Sequence, residues 1–256
     1  MVKNAFFLET IDFLEDYPIK RPDPPYPVWS EIRKSFKTAK QANDLNGLFQ
    51  NLLTLHEKLK LERSIALLDR EVKTAAAFWL DESPAVIRQF LDRHAPEDLA
   101  KAYFLVEQYH YLHDQISPAH YPYQNESISL YLDTSREALA QNNLEVASYI
   151  SLQAAVKAMK ILRYDGCRKR PEVDKLFENT IHFMINIAKT AKDAGKNMLA
   201  ESCLDCAFAC TFYGTEPFND VFKARQTILR AIKDPEDHPQ VIGRRLGEKV
   251  AQYKPG

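Results

Sequence analysis

Apolar residues recur along most of this chain at intervals of three and four, the spacing that places them on one stripe of an α-helix, and alternating apolar and polar runs are scarce. The pattern predicts an all-α protein: an array of antiparallel helical hairpins, either a solenoid or an irregular bundle, with about twelve helices. Its two clearest units are Ile128 to Val156, turning at Asn142-Asn143, and Phe183 to Phe212, turning at Gly195. Small residues fall on the stripe of each second helix: Ala147, Ser151 and Ala154 in the first unit, Ala200 and Ala207 around Leu204 in the second. Small side chains at that spacing let two helix axes approach closely.

Before these hairpins, an amphipathic segment, Met1 to Tyr17, leads into a proline-rich run ending at Pro27, whose prolines fix an extended path. That run is either a strap packed over the body with its tyrosines as anchors or a proline-rich recognition segment. Helices are expected from Val28 to Ala42, from Leu45 to about Leu61 and on to Leu80, with Asn43-Asp44 and Asn46-Gly47 as turn residues. Ser83-Pro84 is a start signal, Ser as cap and Pro at the first helical position, and predicts a short helix from Pro84 to Arg93. His94-Ala95-Pro96 then leads into a longer helix, Glu97 to about Ile116, after which the chain loosens over Ser117 to Gln124. A last pair, Pro217 to Lys233 and Val241 to Tyr253, is more charged and suits the end of an array. The expected organisation is an N-terminal helix and strap over 1–27, an N-terminal helical part over 28–125, hairpins over 126–233 and a capping helix over 234–256.

The run from Gly195 through Ala200 and Leu204 to Ala207 resembles the second half of a tetratricopeptide repeat, where Gly closes the turn and Ala, a large residue and Ala follow at set intervals. Asn143-Leu144 with Ala147 and Ala154 is a looser copy. Ala147 and Ala200 are 53 residues apart, against ~34 for that repeat, so the units are degenerate or interrupted. A second segment, Ile128 through Tyr131-Leu132 and Ala138 to Asn142-Asn143-Leu144 with Ala147 and Ile150, is similar to the core of the Ras guanine-nucleotide exchange domain. The first resemblance implies a helical scaffold that binds another protein. The second implies a regulator of a small GTPase.

With 256 residues, 45% of them hydrophobic, the chain can bury a substantial core. A net charge of −1 and a pI near 6.7 lack the basic footprint of a general nucleic-acid binder, so no nucleic acid is expected. The start lacks a basic, uninterrupted secretory signal and no run reaches the roughly 18 apolar residues of a membrane span, so no membrane insertion and a cytoplasmic location are expected. Cys167, Cys203, Cys206 and Cys210 are too few for a disulfide framework. Cys203, Cys206 and Cys210 share one helix face, either as soft metal ligands or as small apolar residues. The surrounding Leu199, Leu204, Phe208 and Phe212 favour packing.

His110, His113, Asp114 and His120 fall within eleven residues, the first two on one helix face, but the His-Glu-x-x-His arrangement of metal hydrolases is absent. Phosphate-cradling loops, nucleophile elbows and dinucleotide fingerprints are absent too. We therefore expect no catalytic residue, no metal and no cofactor. The expected function is a non-catalytic adaptor, chaperone or inhibitor, monomeric or weakly associating, with an exchange-like regulator as the alternative. Aromatic and Arg side chains dominate interface energetics, which selects Tyr103, Tyr109, Tyr111, Tyr121, Tyr123, Arg168, Lys169 and Arg170 as partner contacts.

Overall fold

A computed structural model of the chain describes residues 16–62, 70–116, 121–164, 171–197, 199–201, 203, 204 and 207. All regular structure among these residues is helical, with no strand. Seven helices follow in order: α1 (Trp29–Gln41), α2 (Leu45–Glu62), α3 (Arg70–Leu91), α4 (Pro96–Ile116), α5 (Tyr121–Ala140), α6 (Leu144–Tyr164) and α7 (Pro171–Asp193). Helical residues resume at Asn197. The final pair expected over Pro217–Lys233 and Val241–Tyr253 lies outside the described residues. No described helix is long and apolar enough to cross a membrane.

One backbone device recurs at four turns. Asn43, His94, Asn142 and Gly195 follow α1, α3, α5 and α7, and each has a positive φ, of 52°, 55°, 59° and 74°. A left-handed residue lets the chain leave one helix and reverse into the next, and Gly and Asn adopt that conformation at least cost. At all four, the left-handed residue's amide donates to the carbonyl three residues earlier: Leu91 for His94 and Lys192 for Gly195, for example, at 3.2 and 2.9 Å. At three, the next amide closes a wider ring, Asp44 to Ala39 at 2.9 Å, Asn143 to Ala138 at 2.9 Å and Lys196 to Ala191 at 2.8 Å, which is the Schellman closure. That next residue also opens the following helix. Asp44 and Asn143 cap it with a side-chain oxygen that accepts from the amide three positions on, Gly47 at 2.9 Å and Val146 at 3.2 Å.

Burial follows the turns in register. Four residues before the left-handed position stand Ala39, Phe90, Ala138 and Ala191; five residues after it stand Leu48, Leu99, Ala147 and Ala200; twelve after it stand Leu55, Val106, Ala154 and Ala207. Every one of these is buried. The turns are spaced by 51, 48 and 53 residues, so the offset between Ala147 and Ala200 is one of three near-equal intervals.

Some local expectations are corrected. Ser83-Pro84 does not start a helix, because α3 runs through it from Arg70 to Leu91. Pro84 forfeits one helical hydrogen bond, but the face carrying Ala76, Trp79, Leu80, Ser83 and Ile87 is buried, and α3 packs against α2, α4 and α5. Tertiary burial on three sides outweighs the local stop signal. Asn46-Gly47 is no turn but the first turn of α2, and a Cβ at Gly47 would collide with the Asp44 carboxylate that caps the helix. Tyr121 to Gln124 is helical, not loose, with Pro122 in the first turn of α5, where an amide has no intrahelical partner to lose.

By packing, the chain divides into two compact units, residues 1–150 and 151–256. In the first, α1 packs on α2, α4 on α5, and α3 on α2, α4 and α5. In the second, α7 buries Ile181, Met184, Ile187, Ala188 and Ala191, and the helical residues after it bury Leu199, Ala200, Cys203, Leu204 and Ala207. The burial of Cys203 accords with a packing role, while Cys167, Cys206 and Cys210 have no described side chain. Ala207 is 0% exposed. Ala207→Phe should overpack its surroundings and cost about 1–3 kcal/mol, read as a lowered melting temperature; an unchanged melt would mean that this stripe faces solvent.

Candidate functional site

Where the C-terminal halves of α2 and α4 meet the N-terminal halves of α3 and α5, the first unit carries a continuous chain of rings. Tyr111 lies 6.0 Å from His56, His56 6.0 Å from Trp79 and Trp79 6.2 Å from Tyr109. Tyr109 lies 6.5 Å from Tyr123, which is 6.4 Å from His113. The Trp79 indole donates to the Leu52 carbonyl at 2.8 Å, and the Tyr123 hydroxyl to Asp81 Oδ1 at 2.9 Å. Burial, together with that carboxylate, pushes the Tyr123 phenol up to about 12.

Several buried polar atoms here have no hydrogen-bond partner among the described residues: Nε2 of His56 and of His113, the Tyr109 hydroxyl, Ser83 Oγ and Asn125 Oδ1. Buried polar atoms are nearly always paired, so each such atom needs a cause. His56 is 2% exposed, and burial pushes its imidazole down to about 4 against the smaller opposing pull of Glu57. Glu57 Oε1 stands 3.5 Å from the Arg21 guanidinium and 3.6 Å from His56 Nδ1. Arg21 also lies over the Phe104 ring, 5.6 Å from its centroid. The proline-rich strap is thereby tied to α2 and α4 through an arginine that composition alone did not single out, while Tyr26 donates within the strap to the Pro22 carbonyl at 3.3 Å.

At the end of α4 three side chains converge. Asp114 Oδ2 is 3.2 Å from His110 Nε2, and Oδ1 is 3.3 Å from His113 Nδ1. One donor atom from each of the three residues lies within 4.8 Å of the others. Ser127 Oγ, on α5, is 3.3 Å from His110 Nδ1. Burial by itself would raise the Asp114 carboxyl, but hydrogen bonds from His110 and His113 outweigh it and hold the group below the usual carboxylate range. Side-chain exposure falls from 44% at Asp114 through 16% at His110 to 2% at His113, so the cluster runs from solvent into the core. His120 lies outside the described residues.

A second polar network surrounds Glu107. It accepts from the Tyr131 hydroxyl at 2.8 Å. Burial, then the charge of Glu107, pushes the phenols of Tyr131 and Tyr103 far up, and Tyr149 adds to both effects.

The expected contact residues separate into groups. Tyr103 and Tyr109 are 4% and 0% exposed, so they are core residues unavailable to a partner, and their selection as contacts is corrected. An aromatic residue on an amphipathic helix has the same spacing whether its ring fills a helix interface or tops one, and only packing distinguishes them. Tyr111 and Tyr123 are half-buried, at separate points of the ring chain. The side chain of Tyr121, and Arg168, Lys169 and Arg170 altogether, lie outside what is described. His56, absent from the expected set, gave no sequence signal beyond its place among Leu52, Leu55 and Leu59.

The described residues are thus all-helical in their regular structure, with one turn geometry at four positions and a ring-lined, polar cluster in the first unit. No protein-family model, no curated protein and no solved structure matches the chain.

Proposed function

We propose that this chain is a non-catalytic protein-binding scaffold, an adaptor, chaperone or inhibitor, that presents surfaces of successive helical hairpins. The observation that carries the proposal is the recurrence of one left-handed turn at Asn43, His94, Asn142 and Gly195, with burial in the same register around each. A single hairpin cannot bury its own apolar stripe, so hairpins recurring every ~50 residues gain stability by stacking, and stacked hairpins offer an extended face to a partner. Packing of α3 against α5, the first helices of consecutive hairpins, fits that arrangement. Tyr111, Tyr121, Tyr123, Arg168, Lys169 and Arg170 remain the contact candidates.

Affinity capture with mass spectrometry, followed by calorimetry on the isolated partner, tests this. Tyr121→Ala, Tyr123→Ala and Arg168→Glu are the substitutions to compare, and at least one should cost about 2 kcal/mol of binding, close to 30-fold. Unchanged affinity in all three removes the site assignment, and failure to find any specific partner removes the scaffold proposal.

The alternative is an exchange-like regulator of a small GTPase. Asn142-Asn143, central to that resemblance, are accounted for by a turn shared with three other hairpins. An exchange factor must favour the nucleotide-free state, since equal affinity for both states shifts nothing. We expect no acceleration of labelled-GDP release from Ras-, Rap- or Rab-type GTPases. Acceleration that is lost on replacing Asn142 and Asn143, with the melting temperature retained, would reverse the ranking.

A further inference from the structure

Resting on the scaffold reading, we propose that the face formed by α2 and α4 is a groove for an extended segment of a partner protein with an arginine two residues beyond an apolar anchor, and that the chain's own proline-rich strap occupies this groove as a competitor. The strap already lies there as such a segment would. Tyr17, Ile19 and Pro22 are half-buried while Asp16, Pro18 and Lys20 are exposed, the alternation of an extended chain with one side turned to a surface. Arg21, two positions beyond Ile19, reaches Glu57 Oε1 on α2 at 3.5 Å and lies over the Phe104 ring on α4, 5.6 Å from its centroid. One arginine thus bridges the second helices of the first two hairpins.

Glu57 is the selective element. Its side chain is 12% exposed, and a carboxylate so enclosed is costly to leave without a cation. Its neighbour His56 does not supply one, because burial keeps that imidazole neutral at neutral pH. Arginine suits the position better than lysine, since the planar guanidinium can pair with a carboxylate and stack on a ring at once. The attachment of the strap leaves it displaceable. The Arg21 side chain is 52% exposed, and no backbone hydrogen bond joins residues 18–27 to a helix among the described residues; the bond from Tyr26 to Pro22 stays within the strap. Side-chain contacts hold it, so a segment with the same side chains makes the same contacts and lacks only the tether. Prolines pre-set an extended path, so such a segment loses little chain entropy on docking. Beyond Phe104, Gln108 and Tyr111 continue a half-buried stripe of α4 at i+4 and i+7, and Tyr111 lies 6.0 Å from His56 of α2, so the groove runs on along both helices.

The test titrates the full chain into a fluorescein-labelled peptide of the strap, Asp16 to Pro27, and reads fluorescence anisotropy. In the wild type the tethered strap competes at an effective concentration of about millimolar, so a chain carrying Ile19→Ala and Arg21→Ala, whose own strap is loosened, should bind the peptide at least about 10-fold more tightly. Adding Glu57→Gln to that chain, or replacing the arginine of the peptide with alanine, should each weaken binding at least about 10-fold. The peptide change leaves the fold untouched, so it decides the outcome if the Glu57→Gln chain does not melt like its parent. No binding to the loosened chain, binding no tighter than to the wild type, or binding indifferent to the peptide arginine overturns the proposal. Dimerisation of the wild type that Glu57→Gln abolishes assigns the groove to the strap of a second copy and overturns the choice of a foreign partner. A captured partner should prefer the loosened chain and lose affinity with Glu57→Gln; one that binds all three chains equally removes the groove and leaves the scaffold reading standing. The peptide titrations need no captured partner, so failure of the groove is distinguishable from failure of the scaffold.

Discussion

Replacing Trp79 with Ala should destabilise the first unit by about 3–5 kcal/mol, the largest effect we expect of any single truncation in this chain. The indole is 0% exposed, packs between His56 and Tyr109 at 6.0 and 6.2 Å, and donates its N–H to the Leu52 carbonyl. Its removal leaves a cavity where α2, α3 and α4 meet, and the rigid helix backbones can only partly close it. Trp79→Phe keeps most of the volume and should lose clearly less. Thermal unfolding followed by helical circular dichroism measures both, with a fall of roughly 10 °C expected for the Ala variant on the scale for chains of this size. If the two variants melt like the wild type, Trp79 is not the centre of this core.

The second large effect is acid sensitivity centred on His56. Burial pushes its imidazole from the ordinary 6.5 to about 4, with Lys60 and Arg21 adding to the fall and Glu57 opposing it. Between those two pH values the unfolded chain binds a proton that the folded chain refuses, so stability is fully present above about pH 6.5 and is lost as the pH falls toward 4. The loss amounts to about 3 kcal/mol. Carboxylates also titrate in that range, so the informative quantity is the difference between the wild type and His56→Leu, which carries no ionisable group at the site. Denaturant midpoints from pH 7 to pH 4 should fall more steeply for the wild type. Equal slopes would show that His56 reaches solvent or finds a partner when protonated.

How much was legible in the sequence depends on the range over which each feature is decided. The turns at Asn43, Asn142 and Gly195 stood out because a left-handed Asn or Gly, followed at Asp44 and Asn143 by a cap, is a local device written in two or three adjacent residues, and His94 was marked by the Ala95-Pro96 that follows it. Their equivalence was harder to see, since His94 and Ala95 share no side-chain chemistry with Asn142 and Asn143, and only φ and hydrogen bonding reveal the common geometry. Pro84 misled because its local penalty is smaller than the burial gained by continuing α3 through it. The spacing of His110, His113 and Asp114 was visible, but the features that make them a candidate site were not. Ser127 arrives from the next helix, and the burial of His113 arises from the elements that cover it.

The sequence by itself determined the helical class, the positions of these four reversals and the apolar stripes that flank them, because propensity, capping and 3.6-residue periodicity act within a turn or two of helix. Tertiary structure decided which aromatic residues are core and which reach the surface. It buried Tyr103 and Tyr109, left Tyr111 and Tyr123 half-exposed, and carried His56 and His113 into the core. Burial is a property of what packs against a side chain, and those neighbours come from helices tens of residues away in the chain.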